Sequence, residues 1–262
     1  MSGQSTPRAT DAPVMQVVRP DQGVLGPVRI LAGSNETRGL YFAIEGETPP
    51  APASAAFETH CHEEYEESEY VVTGEHEIVV DDQHWQGGSG LFVLVPRRAL
   101  HAMRTVGPTP SVWVHLFSPA GMQRFFVERE HLRAAGASED ELRELRARYG
   151  TRTVPCSPAT QPVFASRAGA RGGGVVVTGE QTRNAYALAE RSVLLEDAHV
   201  HADQEEALYV IAGELVVEAE GVTAAVPPRS FVLVPRGVRH RHVAAAGTRL
   251  LAVFSPGHAV PH

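Results

Sequence analysis

Short apolar runs separated by turn residues recur along most of the chain. In the first half these runs are IVV (78–80), LFVLV (91–95) and SVWVHLF (111–117). They are rich in β-branched residues, and Gly, Pro and Asp cluster between them, which is typical of short β-strands. The second half repeats the pattern with ALYVIAG, ELVVEAE, FVLV and TRLLAVF. Many short strands at this spacing predict an all-β sandwich or barrel and not a βαβ fold.

The residues themselves are also duplicated. FVLVPR occurs at 92–97 and again at 231–236. The same offset aligns ETHCHEEYEESEYVVTGE (58–75) with DAHVHADQEEALYVIAGE (197–214). A repeat of this length indicates one structural unit used twice, and the two copies make up most of the protein.

Between the copies the hydrophobic pattern changes to that of helices. SEDELRELRARYG (138–150) opens with Ser138 and Glu141, the spacing of a capping box, and places its apolar residues on one face. GMQRFFVEREHLRA (121–134) also has apolar residues at helical spacing. Both segments are predicted to be short helices.

These changes in pattern predict four segments. The Pro-rich and Gly-rich stretch between the helices and the second copy is typical of a connector. The predicted segments are a disordered tail over 1–14, an N-terminal domain with C-terminal helices over 15–152, a linker over 153–174 and a C-terminal domain over 175–262.

Each copy carries the same pattern of residues that ligate transition metals. His-x-His is followed after four residues by Glu and after six more by Gly, and a third His follows a Pro after four residues. Side chains at i and i+2 of a strand point to one face, so each His pair presents two imidazoles to the barrel interior. Three imidazoles and a carboxylate suit Fe, Mn, Co, Ni, Cu or Zn without choosing among them. The predicted ligands are His60, His62, Glu67 and His101 in the first copy and His199, His201, Glu206 and His240 in the second.

The identity of the carboxylate leaves an alternative open. Glu66 and Glu205 fit a spacing one residue shorter, but only Glu67 and Glu206 leave six residues before the Gly. We therefore favour Glu67 and Glu206. We do not favour a purely structural role, because eight ligand-type residues are repeated in register. A structural role is easier to accept for the second copy alone, whose barrel could serve packing or dimerisation.

These motifs resemble those of the cupin superfamily, and specifically of its two-domain bicupins. HCHEEYEESEYVVTG and HVHADQEEALYVIAG match the family's first motif, and GLFVLVPRRALH and RSFVLVPRGVRH match its second. Arg98 and Arg229 stand where the family usually has Gly. The resemblance covers roughly 30–120 and 175–257 and implies two tandem jelly-roll β-barrels with a short helical segment between them. It also implies one divalent transition metal in each barrel.

Among bicupins the chain resembles the quercetinase-like dioxygenases, which share the intact set of three His and one Glu. This similarity implies O2-dependent cleavage or oxidation of an enolic or aromatic small molecule, with Glu67 and Glu206 as the candidate catalytic bases. The segment 45–58 is longer than its counterpart in the second copy, which favours the first barrel as the catalytic one. The alternatives are a non-redox isomerase, cyclase or lyase that uses the metal as a Lewis acid, and a non-enzymatic binding or storage protein.

Composition and charge restrict the partners. The net charge is −8 and no basic stripe is present, which argues against nucleic acid and anionic membrane surfaces. The chain contains no Lys, which excludes Schiff-base chemistry and a P-loop lysine. Two cysteines are too few for a disulfide framework or a four-thiolate zinc site. We expect a cytoplasmic homodimer that acts on a small molecule.

The other histidines and Cys61 carry weaker predictions. His115 either lines the first pocket or belongs to the core or surface, and His242 points either into the second barrel or to solvent. Cys61 lies between two inward-facing ligands, so its thiol is expected to point away from the metal and to pack. Five further histidines are expected at the surface, namely His76, His84, His131, His258 and His262.

Overall fold

The computed structural model describes residues 14–52, 55–153, 156, 159–167, 173–192, 197–258 and 260, so the predicted tail lies almost entirely outside the described residues. The first group of strands is β1 Gln16–Val18, β2 Val24–Leu25, β3 Val28–Ala32, β4 Phe42–Thr48, β5 Cys61–His62, β6 Glu66–Thr73, β7 Glu75–Val80, β8 Gln83–Gly88, β9 Leu91–Val95, β10 His101–Val106 and β11 Ser111–Ser118. The helices α1 Met122–Ala134 and α2 Glu139–Arg148 follow. The remaining strands are β12 Thr151–Arg152, β13 Phe164–Arg167, β14 Gly174–Val177, β15 Ala187–Arg191, β16 Glu205–Ala212, β17 Leu215–Ala219, β18 Val222–Val226, β19 Phe231–Val234, β20 His240–Ala244 and β21 Arg249–Ser255.

The strands form two barrels, each built from a larger and a smaller antiparallel sheet. In the first barrel the larger sheet has the order β13-β9-β6-β11-β4-β3-β2 and the smaller one β10-β7-β8. In the second barrel the orders are β1-β19-β16-β21-β15-β14 and β18-β17-β20. This arrangement confirms the all-β fold of two tandem jelly-roll barrels with a short helical segment between them.

The two FVLV segments are the equivalent strands β9 and β19, and each is covered on its outer edge. β9 pairs with β6 on one side and with β13 on the other. β19 pairs with β16 and with β1, the first strand of the chain. The predicted linker therefore contains a strand of the first barrel's sheet, and residues from the start of the chain complete the second barrel's sheet. Covering these edges removes unpaired backbone groups that would template aggregation.

A shared apolar core joins the two barrels. Buried side chains from both halves form one cluster that includes Tyr70 and Phe92 with Tyr209 and Phe231. Two reciprocal hydrogen bonds cross this interface, since the Tyr70 hydroxyl donates to Glu190 and the Tyr209 hydroxyl donates to Glu45, both over 2.6 Å.

The two predicted helices are present and pack on the first barrel. Ser138 caps α2, and its side chain and that of Glu141 form the predicted capping box. Phe125 and Phe126 of α1 pack with Phe117 of β11 in a single cluster. The helical segment therefore packs on β11, the central strand of the larger sheet of the first barrel. Neither described helix is long and apolar enough to cross a membrane.

Cys61 is buried as predicted, but the sequence analysis did not predict that it is bonded to the other cysteine. Its side chain is fully buried, but it forms a disulfide with Cys156, with the two Cα atoms 6.4 Å apart. The side chain does point away from the neighbouring histidines, as the alternation of a strand requires. Disulfides are typical of oxidising compartments, so the number of cysteines no longer supports a cytoplasmic location.

Candidate metal centres

Three strands and a bridge bring the first set of predicted ligands together. His60 forms an isolated antiparallel bridge with His101, His62 lies on β5 and Glu67 on β6. One ligand atom from each of the four residues lies within 4.8 Å of all the others. The centroids of the three imidazole rings are 4.3, 5.1 and 5.3 Å apart. The four side chains thus converge on one point, although they are separated by up to 41 positions in sequence (60 to 101).

Hydrogen bonds orient these imidazoles. Nδ1 of His60 and of His101 lies 3.2 and 3.0 Å from the backbone carbonyl two residues earlier, and Nδ1 of His62 lies 3.0 Å from the Thr151 hydroxyl. Each Nε2 is then left to face the centre, and those of His62 and His101 lie 2.9 and 3.2 Å from Oε2 of Glu67. Such outer contacts fix the tautomer and direction of metal-binding histidines.

The electrostatics favour the protonation states that metal ligation requires. Burial, together with the neighbouring His101 and His62, lowers the pKa of His60 to about 3. Burial alone would raise the pKa of Glu67, but hydrogen bonds from His101 and His115 outweigh it and hold this pKa well below its usual range. Neutral imidazole and ionised carboxylate are the forms that bind metal ions. The donor set therefore fits a divalent transition metal.

The second set has nearly the same geometry. His199, His201, Glu206 and His240 place their ligand atoms within 4.8 Å of one another. The ring centroids are 5.0, 4.3 and 5.5 Å apart, and the three Nε2 atoms lie 3.7, 3.2 and 2.9 Å from Oε2 of Glu206. All eight predicted ligands therefore lie in two groups of four, one in each barrel, and each group fits one metal ion.

The alternative glutamates face the other barrel. Oε1 of Glu66 lies 3.0 Å from Nε of Arg183, and Oε1 of Glu205 lies 2.8 Å from Nε of Arg38. Burial raises the pKa of both carboxyls, and the arginine charges only partly oppose it. Glu66 and Glu205 thus form a reciprocal pair of contacts between barrels, and the glutamates that follow them face the histidines.

The turn before the third histidine is the same in both barrels despite its different residues. Arg98 and Gly237 have φ of 72° and 81°, in the left-handed region. Their backbone N–H groups donate to the carbonyls of His62 and His201 over 2.7 and 2.8 Å. The arginine therefore preserves the turn and adopts a backbone conformation that favours glycine.

A buried chain of polar side chains extends from the first ligand set. Nδ1 of His115 lies 2.8 Å from Oε1 of Glu67, and Nε2 of His115 lies 2.8 Å from Oε2 of Glu69. The other oxygen of Glu69 contacts His76, whose Nε2 lies 3.0 Å from the Thr105 hydroxyl. His115 therefore lines the first pocket, which is one of the two positions predicted for it.

The sequence reasoning missed two members of this chain. His76 was expected at the surface, but only 2% of it is exposed, so that prediction is wrong. Glu69 was assigned no role, and it is completely buried.

The bonds to Glu67 and Glu69 overcome the effect of burial and raise the pKa of His115 to about 9. Burial opposes the ionisation of Glu69, but His76 and His115 lower its pKa to about 2.

The described residues of the second barrel contain no such chain. Leu208 and Ala252 are paired in the sheet as Glu69 and His115 are in the first barrel. Instead, His242 is buried and its Nε2 lies 3.9 Å from Oε2 of Glu206, so it points into the second barrel. The two ligand sets match, but the groups behind them differ.

The cavities differ as well. The first ligand set opens into a cavity of about 910 Å³ whose lining includes three of its ligands and His115. Its apolar walls come from Phe57, Met103, Trp113, Phe117, Met122, Phe125 and Phe126. A separate cavity of about 500 Å³ is lined by β17, β18, β20 and the turns beside them, and it touches only His240 of the second ligand set. The first centre therefore has room for an organic substrate beside it.

The other surface histidines are where they were expected, within the described residues. His84, His131 and His258 are exposed, and His262 lies outside the described residues.

Comparison with known proteins agrees with this architecture. A cupin-domain family model matches residues 50–117 and 195–254. No curated protein matches the sequence significantly.

Several solved structures share the fold at low identity. The Escherichia coli protein Ylba is 10% identical with a TM-score of 0.61, over 95% of this chain and 93% of its own. A Bacillus subtilis oxalate decarboxylase with Mn(II) centres is 15% identical with a TM-score of 0.57, over 97% of this chain and 79% of its own. Procruciferin, an 11S globulin of Brassica napus, is 10% identical with a TM-score of 0.63, over 97% of this chain and 87% of its own. Two segments of the chain, one in each barrel, therefore match the cupin-domain model, and the solved structures share the fold of the whole chain.

Proposed function

We propose that this protein is a metal-dependent enzyme whose catalytic centre is the first barrel. The observation that carries the proposal is the hydrogen-bonding partner of Oε1 of Glu67. In the first barrel His115 binds Oε1 of Glu67, whereas in the second barrel Oε1 of Glu206 is buried without a hydrogen-bond partner among the described residues. Glu67 thus combines a ligand position, a supporting imidazole and a large cavity, and among the described residues Glu206 lacks the supporting imidazole.

The residues of the first barrel have distinct roles in this proposal. His60, His62, Glu67 and His101 would hold a divalent metal, which supplies Lewis acidity and, for a redox-active ion, electron transfer to a bound substrate. Glu67 accepts a proton from the substrate hydroxyl, since a carboxylate with a low pKa is ionised at neutral pH. His115 keeps this carboxylate oriented and is itself held by Glu69.

The reaction we propose is the O2-dependent oxidation or cleavage of an enolic or aromatic small molecule. The aromatic walls of the first cavity fit a flat ring and exclude water from it. Removal of an enol proton by Glu67 would give the electron-rich anion that such an oxidation requires.

Oxygen consumption tests this proposal with a matched pair of variants. Metal-loaded protein is given a panel of flavonols and other enolic aromatics in an oxygen electrode, and metal content is measured for each variant. Glu67→Gln should lower turnover by about 100- to 10,000-fold, the usual contribution of a general base, whereas Glu206→Gln should leave it within a few-fold. Equal losses in both variants would count against a single catalytic barrel, and no consumption with any substrate would count against the oxidation.

A non-redox isomerase or cyclase is the second candidate. The alternation of carboxylates and imidazoles from Glu67 to His76 favours it, because such a chain would hold a proton removed from one substrate atom and return it to another. Turnover that continues without oxygen would select this candidate over the first.

The remaining expectations on partners stay proposals. We propose a homodimer that binds a small-molecule substrate and neither nucleic acid nor membrane. A non-enzymatic binding protein is less favoured, because both ligand sets are complete.

A further inference from the structure

We propose that the substrate of the first barrel carries a carboxylate, and that Arg129 of α1 binds it. The inference rests on the proposed function, because it assigns a substrate class to the same cavity. It depends on the position of Arg129, on its incomplete hydrogen bonding and on the charges around it.

Arg129 lies in the cavity wall at a distance from the metal ligands. It lines the same cavity as His62. Its guanidinium carbon is 4.7 Å from the centroid of Phe126, and this ring is 5.7 Å from the ring of Phe117. Phe117 in turn lies 5.9 Å from the ring of His62. Two aromatic rings of the cavity wall therefore lead from the ligand set to the guanidinium, and a flat apolar body in the cavity could lie along them.

The hydrogen bonding of Arg129 is incomplete. Its Nε donates to Glu130 over 2.8 Å, but Nη2 is buried and has no hydrogen-bond partner among the described residues. Because Nη2 is covered by protein, a ligand carboxylate would accept from the part of the guanidinium that is not buried. The contact with Phe126 holds the guanidinium in place, and Arg129 lines the cavity with 16% of its side chain exposed. A carboxylate matches the planar donor pair of arginine.

The surrounding charges favour a single negative charge on the ligand. Arg133 and Arg146 line the cavity beside Arg129, together with Glu139. Glu130 accepts from both Arg129 and Arg133. Three guanidinium groups and two carboxylates leave one excess positive charge. A carboxylate neutralises this charge, whereas a phosphate dianion exceeds it.

The substrate class follows from these positions. Its metal-binding oxygens lie at one end, its apolar body extends along Phe117 and Phe126, and its carboxylate reaches Arg129 at the other end.

Binding of matched acids and amides tests the inference. Full-length metal-loaded protein is titrated calorimetrically with protocatechuate, caffeate and a dihydroxybiphenyl carboxylate, each compared with its primary amide. These catechols have the same metal-binding end and increasing length. We expect at least one acid to bind roughly 10- to 100-fold more tightly than its amide, the usual size of a charge-assisted hydrogen bond.

The variants distinguish a specific contact with Arg129 from a general attraction to the positive charges of the helices. Arg129→Met should abolish the preference for the acid and leave the affinity for the amide unchanged, and Arg129→Lys should retain part of it. Arg143→Met is the matched control, because Arg143 is an exposed residue of α2 that pairs with Asp140. This control should retain the full preference.

Two results would overturn the inference. One is equal binding of acid and amide at all three lengths, and the other is a preference that persists in Arg129→Met. Different results would contradict the proposed function: the protein would hold no stoichiometric metal, and it would turn over no substrate. The comparison of acids with amides is repeated on chelator-treated protein, so that binding to Arg129 is also tested without the metal.

Discussion

At position 98 an arginine adopts the backbone conformation that its counterpart Gly237 adopts without strain. Arg229 does the same where the family usually has Gly, but its side chain forms ion pairs of 2.6 Å with Glu45 and 2.7 Å with Glu47. Within the described residues Arg98 has no side-chain ion pair of this kind. The strain at Arg98 is therefore not offset by a contact that the structure shows.

We predict that Arg98→Gly stabilises the protein and that Gly237→Ala destabilises it. Left-handed backbone costs a non-glycine residue roughly 1–2 kcal/mol, and the flexibility of Gly in the unfolded chain returns part of that. The expected changes in the free energy of unfolding are about +0.5 to +1 kcal/mol for Arg98→Gly and about −1 kcal/mol for Gly237→Ala. Urea denaturation measures both. A Cβ at position 237 would meet no atom within 4 Å, so a loss there reports backbone strain and not a clash.

Sequence reasoning found the ligands but not the residues behind them, and the elements explain why. In β7 the burial alternates, and His76 lies on the same face as Ile78 and Val80. That alternation was readable from the sequence and was overlooked. In β6 nearly every residue is buried, so no alternation distinguishes Glu69 from its neighbours. Its partner His115 comes from β11, and only the register between the two strands brings them together.

The disulfide acts at the scale of elements, because it joins β5 to the segment after α2. Cys61 lies between the ligands His60 and His62, and Cys156 is 95 positions further along the chain. Closing a loop of this length restricts the unfolded chain, and removing such a bond usually costs about 2–5 kcal/mol. The second barrel has Val200 at the corresponding position, so it lacks this connection.

We predict that reduction of Cys61–Cys156 lowers the free energy of unfolding by about 2–5 kcal/mol and weakens metal binding in the first barrel only. Denaturation with and without reductant measures the stability, and chelator competition in variants that retain one ligand set measures metal affinity. The double variant Cys61→Ser/Cys156→Ser is the control, since reductant should not change it. An equal loss of metal from both barrels would contradict the selective effect.

At the scale of the whole molecule, the duplicated pattern predicted two barrels but not how they join. The repeat of FVLVPR and of the ligand motif identifies each unit, because both depend on short segments of the chain. The contacts between the units connect residues more than 100 positions apart, such as Tyr209 with Glu45. No periodicity within either copy indicates such a pair. The strand β1 is a further case, because it completes a sheet formed mainly by the other end of the chain.

Glu45 is the charged centre of the barrel interface, and its ionisation should link folding to pH. Only 1% of it is exposed, and it accepts hydrogen bonds from Arg29, Arg229 and Tyr209. Burial raises its pKa, but these bonds outweigh burial and lower the pKa below its ordinary value. A carboxyl with a depressed pKa in the folded state adds stability above its unfolded pKa, and this stability is lost as the pH falls through the folded pKa.

We therefore predict that Glu45→Gln is less stable than the unmodified protein by about 3–5 kcal/mol at neutral pH, because Arg29 is left buried without its carboxylate. The difference should shrink as the pH falls below the unfolded pKa of a glutamate, about 4.3, and should be lost as the pH passes the lower pKa that Glu45 has in the folded state. Urea denaturation of both proteins in the presence of a chelator, at several pH values, measures this and keeps metal binding out of the comparison.

Glu47→Gln is the matched control. It removes an exposed partner of the same arginine, Arg229, and should cost less than about 1 kcal/mol. A difference between Glu45→Gln and the unmodified protein that stays constant with pH would show that the Glu45 charge does not contribute to joining the barrels.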